Sequence, residues 1–562
     1  MSDPVLDLLD LALEAPARHS TSEIFLMMTP SIIGFAYTRA AVNSRIVVIG
    51  ASTAAGGFLA ELIRHLPRVI FTHITQISTS ALPSVINAPL RHQYVCGEVT
   101  YVDYGKKTIR MTTGTSSELK SYEVPYDYLV IATGLETADW LDRYGAHVPG
   151  VFRAVHKTGH HPWSAAFRFL NGNAIASESI VVNGDSVESL AVLAEFEKRN
   201  FDMSKICWIY PGKEHEWARG DMDVVNRINQ ILGELGVEVI PNHVVSYHLS
   251  PTVLLQQVNV KGSGGSPRLQ VASDDTYAMP CFALMNTADK VISPTMRKAL
   301  SHDPVAIDRG VIVDRFFRTS DRFVYAAGSV VQFRKTDGGN SINLSLVNAC
   351  EAGALAARSL IPVAIPLIPL LLQDKAPSLT FCQPCTQLLV IPGDSNVLFR
   401  SYMPFKTAVR DLRTDTAQRL VKVAVDHMNC VISVTFCGSP ISGRDLMQLE
   451  KFVGLPISFM NNIDQQMAQN KIADLAEYLL DDWSAPIRHD RFPNLLLRAR
   501  SLVQQRVQKL VTKQATDTVK GINVDFSTLE GCATKDVVRD INKALISFIY
   551  DNERNLGRFL YR

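Results

Sequence analysis

Apolar and polar residues follow one another in a repeating order along the first third of the chain. The run Arg45–Gly50 is apolar and ends in glycine, residues 58–66 have the apolar spacing of a helix, and a second apolar run follows at Ile74–Ile77. Strand, glycine turn, helix and strand in this order predict a βαβ unit. A further buried strand, Tyr126–Gly134, also ends in glycine and extends the array.

The same order then starts again. Its members are a strand and turn at Ser179–Gly184, a helix at Val187–Arg199, a strand at Ile206–Tyr210, a helix at Val224–Leu235 and a strand at Gly236–Ile240. Two later strands, Gly310–Asp314 and Phe323–Gly328, and a helix over residues 343–360 return to the first array. We therefore predict two interleaved Rossmann-like α/β domains.

The remaining segments differ in pattern from these two arrays. A proline-rich stretch is too short and too often interrupted to cross a membrane, and we interpret it as a linker. An α+β module of mixed strands and helices follows it, and a helical tail comes last. The predicted segments are 1–43 (N-terminal docking), 44–150 with 284–360 (first Rossmann-like domain), 151–283 (inserted Rossmann-like domain), 361–375 (linker), 376–495 (α+β module) and 496–562 (helical tail).

Composition narrows the class of partner. At 47% hydrophobic and 20% charged, the 562 residues can give every domain a core. The net charge of +1 supplies no global field for nucleic acid or an anionic membrane, so we expect neither as a partner. Nine cysteines are too few for a disulfide scaffold and indicate a reducing compartment. The acidic N-terminus lacks the basic region of a signal peptide.

Three motifs identify a family resemblance: RIVVIGAS at the first strand, YDYLVIATG in the middle and GVIVDRFFRTSDRFVYAAGS late in the array. In order and spacing they resemble the pyridine nucleotide–disulfide oxidoreductases, over about residues 44–360. The resemblance implies an FAD-binding-like domain with an inserted NAD(P)-binding-like domain.

Three other stretches have a narrower resemblance: VNSRIVVIGAS, PGDSNVLFRSYMP and LAEYLLDDWSAPIRHDRFP. They are similar to the C-terminal half of the cilia- and flagella-associated protein 61 family, from about residue 42 to the end of the chain. That resemblance implies a structural protein of the ciliary axoneme, at a radial-spoke base in the calmodulin- and spoke-associated complex. Axonemal proteins would be its partners, with the doublet microtubule nearby. Longer members carry an acetyltransferase-like region before this half.

The first glycine loop departs from the G-x-G-x-x-G pattern that brings backbone close to a pyrophosphate. Ser52 stands at the second glycine, the strand ending at Ile77 is followed by no carboxylate for a ribose, and Ser329 stands where the family has aspartate. We expect no bound cofactor, with FAD as the alternative. If a vestigial nucleotide site exists, its residues are Gly50, Ser52, Gly56, Thr133, Gly134, Gly328 and Ser329.

The loop of the inserted domain differs even more from the G-x-G-x-x-G pattern. Its loop reads Gly184-Asp185-Ser186-Val-Glu-Ser189, so serine replaces two glycines and an acid faces the pyrophosphate position. Asn286-Thr287 stands where the family has glycine. Cys96 is alone in the region where the disulfide reductases carry a redox pair. We therefore expect no catalytic residue.

Two other clusters have alternative interpretations. Cys382-Gln-Pro-Cys385 could be a pair of plain thiols, a metal site with His427 and Cys430, or a redox pair, and we favour plain thiols, hence no metal. His489-Asp490-Arg491 could be a catalytic dyad with an arginine. We favour a charged corner in which Asp490 pairs with Arg488 or Arg491.

The tryptophans at 140, 163, 208, 217 and 483 are interpreted as core or interface anchors. The leading functional hypothesis is a non-catalytic scaffold in the cilium. The alternatives are an active FAD- or NAD(P)-dependent oxidoreductase and a nucleotide sensor without turnover.

Overall fold

The computed structural model divides the chain into two compact units, Met1–Cys385 and Thr386–Arg562. The predicted docking segment 1–43 and Trp140 lie outside the described residues. The structure describes residues 44–64, 72–79, 91–113, 120–137, 150–153, 163–172, 179–210, 217–218, 221–241, 243–249, 255–262, 276–288, 290–302, 304–334, 347–364, 381, 383–393, 395–495, 498–499, 502 and 535–560.

The first unit is an α/β structure. Its strands are β1 (Arg45–Ile49), β2 (His73–Ser78), β3 (Arg91–Cys96), β4 (Glu98–Asp103), β5 (Thr108–Thr113), β6 (Lys120–Pro125), β7 (Tyr128–Ile131), β8 (Glu136–Thr137), β9 (Val151–Arg153), β10 (Ile180–Asn183), β11 (Ile206–Tyr210), β12 (Glu238–Pro241), β13 (His243–Leu249), β14 (Leu255–Gly262), β15 (Thr276–Pro280), β16 (Ala283–Asn286), β17 (Lys290–Val291), β18 (Val311–Val313), β19 (Val324–Ala326) and β20 (Val331–Phe333). Its α-helices are α1 (Thr53–Arg64), α2 (Ser164–Gly172), α3 (Val187–Lys198), α4 (Met222–Glu234), α5 (Pro294–Leu300) and α6 (Ala349–Ala364).

The first sheet is parallel, in the order β19-β7-β1-β2-β3. Its central strands are buried on both faces, as their continuous apolar sequences require. The helix after β1 begins at Thr53, earlier than the predicted start at residue 58. Ala54 and Ala55 explain the difference, because these small side chains are fully buried and extend the packed face toward the loop.

The second sheet is also parallel, in the order β12-β11-β10-β16-β9. The predicted boundary after residue 283 was misplaced, because it falls inside β16. Leu284 pairs with Val181 of β10, so this strand belongs to the inserted sheet. The antiparallel sheets β4-β5-β6 and β13-β14-β15 and the pairs β8-β17 and β18-β20 complete the described strands of this unit.

Helix α6 differs from its prediction at both ends. It begins at Ala349 and not at residue 343, because the Asn348 side chain accepts the Glu351 N–H and caps it. It continues through Pro362 to Ala364, into the predicted linker 361–375. Leu360 and Ile361 are buried in the core, and this burial favours a last helical turn despite the proline.

The second unit contains one five-stranded sheet covered by helices. Its strands, in the order β21-β22-β25-β24-β23, are β21 (Cys385–Val390), β22 (Val397–Tyr402), β23 (Arg410–Asp415), β24 (Arg419–Val425) and β25 (Val431–Gly438). Its α-helices are α7 (Ile463–Ala468), α8 (Leu475–Leu479), α9 (Ala485–Arg488) and α10 (Lys535–Leu560), and 3₁₀ turns cover Leu446–Phe452, Ile457–Phe459 and Asp482–Ser484. Helix α8 is shorter than the predicted 471–480 because Asp474 accepts the Ala476 and Glu477 N–H groups and caps it.

The apolar face of this sheet forms the core of the second unit. The division after Cys385 lies later than the predicted start of the α+β module at residue 376. Within the described part of the whole chain, no helix is both long and apolar enough to cross a membrane.

Candidate functional site

The predicted nucleotide residues of the first sheet, except Gly56, gather around the start of α1. Gly50 has φ +114°, and a Cβ there would lie 2.9 Å from the Thr133 Cα, so the turn requires glycine. Gly328 has φ +84° and lies against Ala54. A Cβ on Gly134, which has φ +75°, would lie 3.8 Å from the Ser329 hydroxyl.

Gly56 lies inside α1, and a Cβ there would meet no atom within 4 Å. It therefore takes no part in the close packing around the loop. The glycine that allows close packing is instead Gly57, because its Cα lies directly against the backbone of Cys350 in α6. The glycine motif of the loop carries no signal for this helix–helix contact.

Ser52 caps the helix that follows the first loop. Its hydroxyl accepts a hydrogen bond from the Ala55 N–H at 3.3 Å. The unpaired N–H groups of a helix start are the groups that would bind a phosphate. The Ser52 side chain therefore occupies one of the donors that a pyrophosphate would need.

A polar chain that the sequence analysis missed lies behind this loop. The buried Gln76 side chain donates from Nε2 to the Gly50 carbonyl at 2.8 Å, which leaves its Oε1 to accept from His92 Nε2 at 3.2 Å. Burial lowers the pKa of His92, and the nearby His73 lowers it further. The available signal was a glutamine within the apolar strand β2, next to the turn that it supports.

The glycine loop of the second sheet is closed by hydrogen bonds between its own side chains. The Ser189 hydroxyl, in α3, lies 2.8 Å from the Gly184 carbonyl and 2.6 Å from the Thr287 hydroxyl, and its single proton is donated to one of these two oxygens. Thr287 in turn donates to the Asn183 carbonyl at 2.8 Å. The Asn183 side chain donates to that of Asn286 at 3.0 Å. All four side chains are buried.

Aromatic side chains fill the space beside the same loop. The Trp208 indole N–H donates to the Gly184 carbonyl at 2.8 Å. Its ring centroid lies 4.9 Å from that of Tyr210 and 6.3 Å from that of Trp217, and both tryptophans are fully buried. The core interpretation of these two tryptophans is confirmed, and Trp163 is also buried.

An ion pair lies at the start of α3. Lys290 Nζ is 2.6 Å from Glu188 Oε1 and 3.3 Å from the Thr137 hydroxyl. Burial alone would raise the pKa of Glu188, but the Lys290 ammonium outweighs it and the pKa is lowered. Glu188 is thus held as a carboxylate in the first turn of the helix.

The described cysteines are free thiols. Burial raises the pKa of Cys207 to about 12, so its thiol stays protonated at neutral pH. Cys96 and Cys350 are exposed, and Cys385 and Cys430 are partly buried. Among the residues that the structure describes, no three potential ligands form a metal cluster. Cys382 of the C-x-x-C pair lies outside them.

The charged corner at residues 488–491 differs from its prediction. Asp490 pairs with Lys451 at 3.5 Å, and not with Arg488 or Arg491, and its side chain is 77% exposed whereas Arg488 is buried. Arg488 is buried and donates to the Asp481 carbonyl at 2.9 Å. His489 accepts the Arg491 N–H through Nδ1, and burial lowers its pKa.

Trp483 packs in the same region of the second unit. Its indole N–H donates to the Tyr478 carbonyl at 2.8 Å, and its ring packs near Phe452 and Tyr478. The partly buried ring therefore serves the core of this unit. Phe492 is buried, as predicted for the corner.

Two glycine loops at the carboxyl ends of two parallel sheets define a dinucleotide-binding class of fold. The sequence pattern of the pyridine nucleotide-disulphide oxidoreductases matches residues 44–353, more than half of the chain. The chain belongs to this family.

A more particular relative is cilia- and flagella-associated protein 61 of Tetrahymena thermophila. It is 22% identical over 281 residues, which cover 44% of this chain and 16% of the relative. The predicted resemblance to an oxidoreductase-like ciliary protein is thereby confirmed. The match spans only a small part of the relative's own length.

A solved structure with a TM-score above 0.5 supports the fold, and a second has a score slightly below it. A ferredoxin reductase from Rhodopseudomonas palustris has a TM-score of 0.51 at 12% identity, with 76% of this chain and 99% of its own covered. The putidaredoxin reductase–putidaredoxin complex has a TM-score of 0.49 at 13% identity, with 77% and 100% covered. At such identities the likeness concerns the fold alone, and the predicted fold class is confirmed.

Proposed function

We propose that this protein is a non-catalytic structural scaffold of the ciliary or flagellar axoneme. In this proposal it acts at a radial-spoke base, within the calmodulin- and spoke-associated complex, and is needed for motility. Its partners are axonemal proteins, with the doublet microtubule nearby. The named relative supports the ciliary location, and the altered glycine loops support the absence of catalysis.

The closed second loop carries the non-catalytic part of the proposal. Ser189, Thr287 and Trp208 contact the carbonyls of Gly184 and Asn183, so buried side chains hold this loop where the family motif has glycines. A dinucleotide would approach where Ser186 and Ser189 carry side chains in place of the glycines that let the backbone come close to a pyrophosphate. Asp185, which follows the first glycine of this loop, would also repel the phosphates. These residues do not fit NAD(P).

The first loop leads to the same inference for FAD. Ser52 occupies a helix N–H donor, and β2 ends in Ser78 followed by Thr79, without a carboxylate for the ribose hydroxyls. Ser329 cannot supply the carboxylate that the family places there. With no redox cysteine pair among the described thiols, no disulfide step is assigned to this chain.

The test uses the purified full-length chain. We expect no flavin absorbance near 450 nm and no saturable binding of FAD or NADH in equilibrium dialysis. In axonemes that lack the protein, we expect the added chain to incorporate and to restore spoke-base structure. Stoichiometric flavin with NADH oxidation would refute the non-catalytic proposal, and failure to incorporate would refute the axonemal one.

A nucleotide sensor without turnover is the second candidate. It is favoured by the first loop, where Gly50, Gly134 and Gly328 keep the positive φ angles of a nucleotide turn. Saturable FAD or NADH binding without NADH oxidation would support it over the scaffold. A matched Ser52→Phe variant should then lose the binding, because the larger side chain would fill the start of α1.

A further inference from the structure

The two edges of the sheet in the second unit have opposite chemistry. The edge strand β23 reads Arg-Asp-Leu-Arg-Thr-Asp, and charged side chains of this kind discourage pairing with another strand. The other edge strand, β21, reads Cys-Thr-Gln-Leu-Leu-Val and contains neither a charge nor a proline. The sheet is therefore protected at one edge, and no described strand pairs with the other edge.

The apolar face of the sheet continues onto β21. Phe399 pairs with Phe436 and Phe436 with Val421, and all three are fully buried in the core. The hydroxyl of Thr386 is 2.9 Å from that of Ser401, two residues from Phe399 on β22, and this contact fixes the register of β21.

Side-chain alternation then puts Leu388 beside Phe399 and Val390 beside Val397. Leu388 is nevertheless 49% exposed and Val390 60% exposed. The apolar face of the sheet thus continues onto β21, but no described residue buries Leu388 and Val390 there.

The backbone of β21 presents hydrogen-bonding groups at the same edge. The Ile391 N–H donates to the Asn396 carbonyl across the hairpin with β22, at 3.0 Å. Because the backbone groups of successive residues point to opposite sides, those of Leu389 face β22. The N–H and C=O groups of Thr386, Leu388 and Val390 face outward.

We propose that β21 binds an extended segment of a partner protein as a sixth strand. Outward backbone groups select an extended chain, and the uncovered Leu388 and Val390 select apolar residues at alternate positions of that chain. One added strand contacts only the six residues of β21, below the roughly 1,200 Å² of a stable interface, so two free copies would pair weakly, whereas a scaffold partner that is also held by other contacts can use this edge. The inference specifies one contact of the proposed scaffold and rests on that role.

The direct test is hydrogen exchange on the purified full-length protein. The probe is a labelled ten-residue peptide that alternates valine with threonine between terminal lysines. In the free protein, we expect fast exchange at the amides of Leu388 and Val390 and slow exchange at Leu389. Saturating peptide should slow the two outward amides at least tenfold and leave Leu389 unchanged.

Three variants distinguish an effect on peptide binding at β21 from an effect on folding. Leu388→Lys should weaken peptide binding at least tenfold, whereas Met428→Lys, the same type of change at a side chain that is 69% exposed, should not change it. Leu388→Pro removes an outward N–H without removing a ladder bond, so it should lose binding while slow exchange in β22 persists.

Three results would overturn the proposal. Slow outward amides in the free monomer would mean that the chain covers its own edge. A dimer seen by sedimentation and abolished by Leu388→Lys would make a second copy the occupant. If Leu388→Lys bound the peptide as tightly as the unsubstituted protein, the peptide would bind somewhere other than this edge. Flavin or NADH binding would refute the scaffold and leave the peptide result standing, so the two failures are distinguishable.

Discussion

Substitution of Gly353 by alanine should destabilise the first unit through the contact between α1 and α6. A Cβ at this position would overlap the Ala54 carbonyl and lie 2.8 Å from the Phe58 backbone nitrogen. Both neighbours are backbone atoms inside a helix, so neither can rotate away as a flexible side chain would. The two helices would have to separate, and α1 carries the first glycine loop at its start.

The magnitude follows from two opposing effects. Overpacking in a dense core costs about 1–3 kcal/mol. Alanine regains about 1 kcal/mol of helix propensity relative to glycine. Gly353→Ala should therefore lose on the order of 1–2 kcal/mol, since backbone contacts place the overpacking toward the upper end.

Gly56→Ala is the matched control in the facing helix. A Cβ there meets no atom within 4 Å, so the propensity gain of about 1 kcal/mol should remain. Calorimetry of the full chain should show a lower transition temperature for Gly353→Ala and a slightly higher one for Gly56→Ala, at about 2 °C for each kcal/mol. Equal shifts in the same direction would refute the backbone-contact reasoning.

Three further outcomes are expected. Trp208→Phe should lower unfolding free energy by about 1–2 kcal/mol in denaturant titration, because the Gly184 carbonyl loses a buried donor. Stability should fall as pH drops below about 6.5, since the folded pKa of His92 is lowered and the unfolded chain binds the proton more readily; His92→Asn should flatten that dependence in melts from pH 7.5 to 5. Arg488→Met should lower the free energy of unfolding by about 1–3 kcal/mol, because the Asp481 carbonyl loses its buried donor. Asp490→Ala, at an exposed side chain, should change it by less than about 0.5 kcal/mol, and denaturant titration measures both.

Local sequence determined much of the first unit. The strand Ile206–Tyr210 has the predicted bounds, because a run of apolar residues between a polar turn and a helix is typical of a buried parallel strand. The turn at Gly50 was also evident, since a glycine after such a strand has a φ that other residues adopt at a cost. Ser52 and Ser189 could be identified as departures from the motif by position alone.

Element ends were less predictable. The side chains of Asn348 and Asp474 cap the starts of α6 and α8. Several nearby residues could also cap a helix, so the sequence alone does not show which of them does. The extension of α6 through Pro362 depends on the burial of Leu360 and Ile361, which local pattern does not reveal. Propensity is a weak guide wherever tertiary packing opposes it.

Only the tertiary structure decided what closes the candidate site. Ser189 and Thr287 are 98 positions apart in the sequence, and Trp208 is 24 positions from the carbonyl that it binds. Lys451 and Asp490 are likewise 39 positions apart. Such partners are brought together when strands pair and helices pack, so short-range periodicity carries no signal for them. The sequence could therefore determine that the glycine motifs had changed, whereas packing decided which side chains took their place.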